Sequence, residues 1–128
     1  MSYELRATKE LFQIEFSGRL TADDLSALAV ELESAEAALD VVPDHVTVLE
    51  QVTEVDVSGD ALRTVASMRK ARHFPNRFRS AIVASHTPHV GYARMFQTLN
   101  DHPQITIALF PAADAAYDWL RSPRGLAR

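Results

Sequence analysis

The feature that most constrains this chain is an alternation of short apolar runs with longer stretches whose apolar residues recur at helical spacing. This alternation is typical of α/β domains, in which successive β-α-β units build a largely parallel sheet. Two short runs come first, and the whole pattern predicts the order ββαβαβαβα over 128 residues. That length corresponds to one domain. We therefore expect an α/β fold with a mixed sheet of about five strands and about four helices.

The first two runs have the pattern of a β-hairpin. Residues 3–8 and 11–16 alternate apolar and polar side chains, and the polar pair Lys9 and Glu10 separates them. Gly18 is expected to end the second strand. A hairpin at the edge of a sheet exposes unpaired backbone groups that a second copy could cover. A homodimer is therefore one prediction for this chain.

Capping signals and breaks position the remaining elements. Thr21 and Asp24 match a helix capping box, and Thr87 before Pro88 matches an N-cap followed by proline at the first helical position. The remaining apolar runs and turns predict strands over residues 45–49, 80–85 and 105–110, a second helix after the turn at residues 56–60, and a last helix over about residues 112–121.

Composition excludes several classes of function. The chain has no cysteine, so it has neither a disulfide scaffold nor a thiol nucleophile. No apolar run approaches the ~18 residues of a membrane span, and the first residues lack the pattern of a secretory signal. We expect a cytoplasmic protein. The net charge of −4 argues against a nucleic-acid partner, and no phosphate-binding or dinucleotide motif indicates a cofactor.

The charged residues fall into two blocks. Residues 20–62 contain eleven acids and no lysine or arginine, whereas residues 63–79 contain six bases and no acid. Two such blocks side by side can form a dipolar surface that attracts an anionic or acidic partner. The simpler interpretation is a solvated helix face that balances an acidic neighbour.

Three stretches resemble the STAS superfamily, and within it the SpoIIAA-like family of small bacterial proteins, which is also described as STAS/SEC14-like. They are residues 17–24, an arginine-led strand at 79–84, and the closing helix–strand–helix over residues 93–120. The resemblance implies a STAS-like domain over residues 1–121. The Pro, Gly and polar residues after it predict a flexible tail over residues 122–128. The resemblance also implies a regulatory, non-enzymatic module with a protein partner that the sequence does not identify.

One stretch resembles the antagonist branch of that superfamily more specifically. There, an Asp-Ser-Ser-Gly sequence follows a strand, and a partner kinase phosphorylates the second serine. Here the stretch reads Asp56, Val57, Ser58 and Gly59, so valine replaces the first serine. A serine before a helix can also serve only as an N-cap. The hypothesis is that Ser58 is a phospho-acceptor within a partner surface that comprises Asp56, Ser58, Gly59 and Arg63.

Large apolar residues cluster late in the chain and suggest an alternative function. They could line a pocket for a small apolar, lipid-like ligand, or they could simply form the core. The candidate pocket residues are Tyr92, Met95, Phe96, Phe110 and Trp119.

Signals for catalysis or metal binding are sparse. Ser85 stands beside His86, but no nucleophile-elbow glycines surround it. His86 and His89 could contribute to a zinc site, but a third ligand is not evident from the sequence. We therefore predict no catalytic residue and no metal ligand.

Overall fold

The computed structural model describes residues 2–124, and its elements follow the predicted order. The strands and helices are β1 (Tyr3–Ala7), β2 (Phe12–Thr21), α1 (Ala22–Ala37), β3 (His45–Asp56), α2 (Gly59–Lys70), β4 (Phe78–Val83), α3 (Thr87–Leu99), β5 (Ile105–Phe110) and α4 (Ala113–Arg121). The predicted α/β class is confirmed, with one mixed sheet of five strands and four helices packed against it.

The five strands lie in the sheet in the same order as in the chain. β1 pairs with β2 in antiparallel fashion, as the predicted hairpin requires, and β2 to β5 are parallel to one another. β1 therefore lies at one edge of the sheet and β5 at the other. The homodimer stays a prediction.

The order of the strands also explains where the helices lie. From β2 to β5, each crossover moves one strand further across the sheet, always toward the same edge. Because such crossovers are right-handed, all three connecting helices lie on one face of the sheet. α1, α2 and α3 pack there against β1 to β5 in the main core. α4 follows β5 and packs on the opposite face of the sheet.

β2 does not end at Gly18, contrary to the expectation from sequence. The strand continues to Thr21, and Gly18 adopts a φ of +67°, which glycine reaches without steric cost. The pairing with β3 shifts register beside Gly18, so the glycine forms an irregularity within the strand. β3 runs alongside as far as Asp56 and is therefore longer than predicted.

The N-terminal caps follow the sequence closely. Thr21 caps α1, and its hydroxyl and the Asp24 carboxylate form the reciprocal hydrogen bonds of a capping box. At α3 the cap is His86 and not Thr87, one residue earlier than predicted, and Pro88 lies in the first turn. Across residues 2–124, the helices lack the length and the apolar character that a bilayer span requires.

The predicted flexible tail is described only in part. Residues 125–128 lie outside the described residues. Arg79 donates hydrogen bonds to the Ser122 hydroxyl at 2.8 Å and to the Pro123 carbonyl at 3.0 Å, and Arg124 forms an ion pair with Asp44. Residues 122–124 therefore form hydrogen bonds and an ion pair with the domain.

Candidate functional site

The junction between β3 and α2 brings together the four residues predicted as a partner surface. Asp56 ends β3, Ser58 is the N-cap of α2, and Gly59 is its first residue. The Ser58 hydroxyl accepts a hydrogen bond from the backbone N–H of Ala61 at 3.1 Å. Asp56 and Ser58 are exposed. We call Asp56, Ser58, Gly59 and Arg63 the Ser58 surface.

Charges of both signs surround Ser58. Asp56 is paired with Arg19, which also lies 3.6 Å from Glu54. Arg63 is paired with Asp60 at 2.8 Å, and its Nη2 would lie 3.6 Å from a Cβ placed on Gly59. The guanidinium of Arg63 is therefore close to the backbone at the start of α2. These ion pairs are exposed, so each contributes little to stability and can rearrange when a charged group arrives.

An apolar cavity of about 140 Å³ lies between the sheet and helices α1, α2 and α3. Its walls are mainly aliphatic and aromatic, and they include Leu28, Leu62, Ile82, Tyr92, Ala93 and Phe96. Polar groups line it as well: His45, Thr47, Ser80, Arg69 and Asn100. Apolar walls with a few polar groups are typical of sites for small molecules.

The five residues predicted to form an apolar pocket do not lie together. Tyr92 and Phe96 line the cavity, and Met95 is 41% exposed. Phe110 and Trp119 pack on the opposite face of the sheet beside α4, with their rings 5.4 Å apart. The sheet separates the two groups, because α3 packs on one face of the sheet and α4 on the other.

A buried charge network that the sequence analysis did not predict lies at one end of this cavity. The Glu36 carboxylate accepts hydrogen bonds from Arg69 Nη1 at 2.7 Å and from Arg69 Nη2 at 2.8 Å. It also lies 2.8 Å from His45 Nε2. The Glu36 side chain is fully buried, and those of His45 and Arg69 are 3% and 9% exposed. We call these three residues the Glu36 network.

Both ring nitrogens of His45 face hydrogen-bond acceptors. Nδ1 lies 2.9 Å from the carbonyl oxygen of Pro43, which can only accept. Nε2 faces the Glu36 carboxylate, which also only accepts when it is ionised. Both contacts are hydrogen bonds only if both ring nitrogens carry a proton. The ring is stacked between Phe12 and Phe78, at centroid distances of 4.8 and 4.6 Å. The ring is thus held between two aromatic side chains, with an acceptor at each of its nitrogens.

Opposing effects act on the pKa of Glu36. Burial alone raises it, but the hydrogen bonds and charges of Arg69 and His45 lower it by more, so the pKa lies below its ordinary value of 4.5. One feature of the sequence could have indicated that Glu36 is buried. Glu36 lies four residues after Leu32 on the face of α1 that packs into the core, where a helix normally carries an apolar residue. A carboxylate at such a position requires a buried partner.

The weaker catalytic signals have other structural explanations. Ser85 Oγ donates to Glu50 Oε2 at 2.7 Å, and its hydrogen-bond partner is therefore not a histidine. The rings of His86 and His89 are 5.2 Å apart. Within residues 2–124, no group of three or more His, Asp or Glu side chains is placed to hold a metal ion. Burial and the nearby His86 lower the pKa of His89, and the charge of Glu50 opposes this.

Comparisons with known proteins identify the fold. An uncharacterised DUF3478-family protein with a SpoIIAA-like fold from Shewanella loihica is 18% identical, with a TM-score of 0.58 over 92% of this chain and 91% of that one. An anti-sigma factor antagonist from Mycobacterium paratuberculosis is 17% identical, with a TM-score of 0.57 over 94% of this chain and 93% of that one. The anti-sigma factor antagonist SpoIIAA, in its unphosphorylated form, is 16% identical, with a TM-score of 0.55 over 94% of this chain and 99% of that one.

These similarities establish the class of fold. The chain has a SpoIIAA-like fold, as its resemblance to the STAS superfamily implied. No protein-family model matches the sequence, and no curated protein matches it. Because the structural neighbours share fewer than one residue in five, they identify the architecture and leave the function to be argued from the site.

Proposed function

We propose that this protein is a non-enzymatic interaction module that binds a protein partner through the Ser58 surface. The observation that carries the proposal is the position of Ser58, exposed at the N-terminus of α2 directly after a central strand. Two of the structural neighbours are anti-sigma factor antagonists, whose name describes action on another protein. The sequence at this junction also resembles the antagonist motif, which supports a similar use of this surface.

We further propose that phosphorylation of Ser58 switches the partner interaction. One structural neighbour, SpoIIAA, is described in its unphosphorylated form. The N-terminus of a helix favours a phosphate through its backbone N–H groups and its dipole, and the guanidinium of Arg63 lies close by. A phosphate would add about −1.5 to −2 charges between Asp56 and Asp60. A partner that docks on the unmodified surface would then be repelled.

The test of this proposal compares two variants that differ in charge alone. Asparagine and aspartate both serve well as N-caps, so Ser58→Asn and Ser58→Asp should both preserve α2. We expect Ser58→Asp to weaken partner capture from the native cells by roughly tenfold, which corresponds to about 1.4 kcal/mol. Ser58→Asn should bind like the parent protein. Capture is measured by cross-linking and quantitative mass spectrometry, and phosphate on the natural chain by peptide mapping.

Two results together would refute the phosphorylation switch. The first is that both variants recover every captured protein equally. The second is that the Ser58 peptide carries no phosphate under any growth condition. A third result separates the two proposals. If both variants capture a partner equally, but replacement of Arg63 and Asp56 by alanine abolishes its capture, the interaction surface is supported and the phosphorylation switch is refuted.

The cavity between the sheet and α1 to α3 favours a second function. We propose as an alternative that the protein carries a small, largely apolar ligand there. The support is the apolar character of the walls, together with the few polar side chains at one end of the cavity. The volume of about 140 Å³ resembles that of an engineered cavity, of about 150 Å³, that binds benzene. A ligand of about that size would fit without rearrangement of the core.

The two faces of the sheet provide a matched test of the carrier. Phe96→Ala removes a ring that lines the cavity, whereas Trp119→Ala removes one from the opposite face. We expect native mass spectrometry of protein from its own cells to show an adduct that is lost on denaturation. Phe96→Ala should reduce the adduct several-fold and Trp119→Ala should retain it. Bare polypeptide in every spectrum, or equal loss in both folded variants, would contradict the carrier.

A further inference from the structure

The polar groups of the cavity gather at the amino ends of the parallel strands. His45 begins β3 and lies opposite Ser80 of β4 in the strand register, and Thr47 follows on the same face. Arg69 lies in the last turn of α2, and Asn100 caps the C-terminus of α3. Apolar residues such as Leu20, Val55 and Leu62 line the cavity from the segments near the opposite ends of the strands. The polar side chains of the cavity therefore lie toward one end, where Phe78 and Ile105 also line it.

The polar end contains a side chain without a partner. Asn100 is 3% exposed, and among residues 2–124 its Oδ1 has no hydrogen-bond partner. A buried amide that lacks a partner costs free energy. Rotation of the amide presents either its oxygen or its NH2 group to the cavity. With the amide rotated so that its NH2 group takes this position, an acceptor on a ligand at this end would receive a hydrogen bond from it.

The charges at this end do not cancel. Arg69 is a cation, and His45 is a second cation when both of its ring nitrogens donate to their acceptors, whereas Glu36 supplies one negative charge. With His45 in that form, the Glu36 network carries a net charge of +1. His45 and Arg69 both line the cavity, and Glu36 is not among the lining residues. Because burial of an uncompensated charge is costly, the cavity wall favours an anion.

Building on the carrier function, we propose that the cavity binds a ring-sized organic monocarboxylate, with its carboxylate toward His45, Arg69 and Asn100 and its apolar body toward the opposite end. One negative charge matches the net charge of the Glu36 network. Two of the five N–H groups of Arg69 are directed at Glu36, and the guanidinium keeps further donors for a second carboxylate. The volume of about 140 Å³ sets the size of the apolar body.

The experiment separates this inference from the carrier function itself. The full chain is titrated with benzoate, benzamide and benzylamine, which share a ring and differ in charge, and binding is followed by backbone amide NMR. We expect benzoate to bind at least tenfold more tightly than benzamide, and benzylamine not to bind. Equal affinity for benzoate and benzamide would refute the preference for a carboxylate but would still support the carrier function. Failure of all three probes to bind would overturn both.

Four variants locate the bound probe and test its charge preference. Ala93→Leu from α3 and Ala29→Leu from α1 fill the cavity from two walls, and each should abolish benzoate binding. Ala35→Leu adds the same bulk to a half-buried position outside the lining, and it should bind normally. His45→Phe keeps the stacked ring but removes the charge, so the preference for benzoate over benzamide should disappear. Benzoate binding that survives both cavity-filling variants, in folded protein, would contradict the site.

Discussion

Replacement of Arg69 with methionine should destabilise this protein more than any surface substitution. The change keeps the apolar stem but leaves the Glu36 carboxylate fully buried with His45 as its remaining partner. Breaking a buried ion pair from one side costs roughly 3–5 kcal/mol, because the remaining charge is not compensated. The effect is measured as the free energy of unfolding in urea at neutral pH.

Two further variants show whether the cost comes from the stranded charge. Arg63→Met removes an exposed partner of Asp60 and should cost at most about 1 kcal/mol. The double variant Glu36→Leu, Arg69→Met removes both charges of the pair and should be more stable than Arg69→Met alone. If Arg69→Met and Arg63→Met are equally stable, the Glu36 network does not have the role assigned to it.

The second large effect concerns Glu36 itself and depends on pH. Glu36→Gln leaves Arg69 and His45 buried without their anion, so at neutral pH we expect a loss of roughly 3–5 kcal/mol. The pKa of Glu36 in the folded protein lies below its ordinary value of 4.5. The stability that its ionised form contributes is therefore fully present well above pH 4.5 and is lost as the pH falls through the lowered pKa. The gap between the parent and Glu36→Gln should narrow below pH 4.5.

The matched control for this pH series is Glu33→Gln, three residues earlier on the same helix. Glu33 pairs with Arg72 at 3.0 Å, but its side chain is 52% exposed. Its substitution should cost little at any pH. Urea denaturation of the three proteins from neutral pH to below pH 4.5 gives the comparison. A gap between the parent and Glu36→Gln that stays constant as the solution is acidified would show that ionised Glu36 does not stabilise the fold.

The buried network also changes the meaning of the two charge blocks in the sequence. The simpler interpretation of the basic block was a solvated face that balances an acidic neighbour. Arg72 and Glu33 agree with it in part, since the glutamate is exposed. Arg69 and Glu36 do not, because they meet in the interior. The pair of Arg69 and Glu36 is therefore buried beside the cavity. The basic block thus contributes to the interior of the protein as well as to its surface charge.

Local patterns in the sequence were sufficient to predict the order of strands and helices. The hairpin, the capping box at Thr21 and the strand over residues 105–110 all appear where local signals indicated. These features depend on residues that are neighbours in the chain, since strand alternation and helix capping act over a few positions. The position of Ser58 before α2 was visible for the same reason.

Long-range packing decided the rest. Phe96 and Trp119 both belong to apolar helix faces, but which face of the sheet each helix covers depends on the crossovers and the strand order. Glu36 and Arg69 are thirty-three positions apart, and only the packing of α1 against α2 brings them into contact. A charge on an apolar helix face signals that a buried partner exists. The partner itself is specified by tertiary structure, because no local spacing relates the two residues.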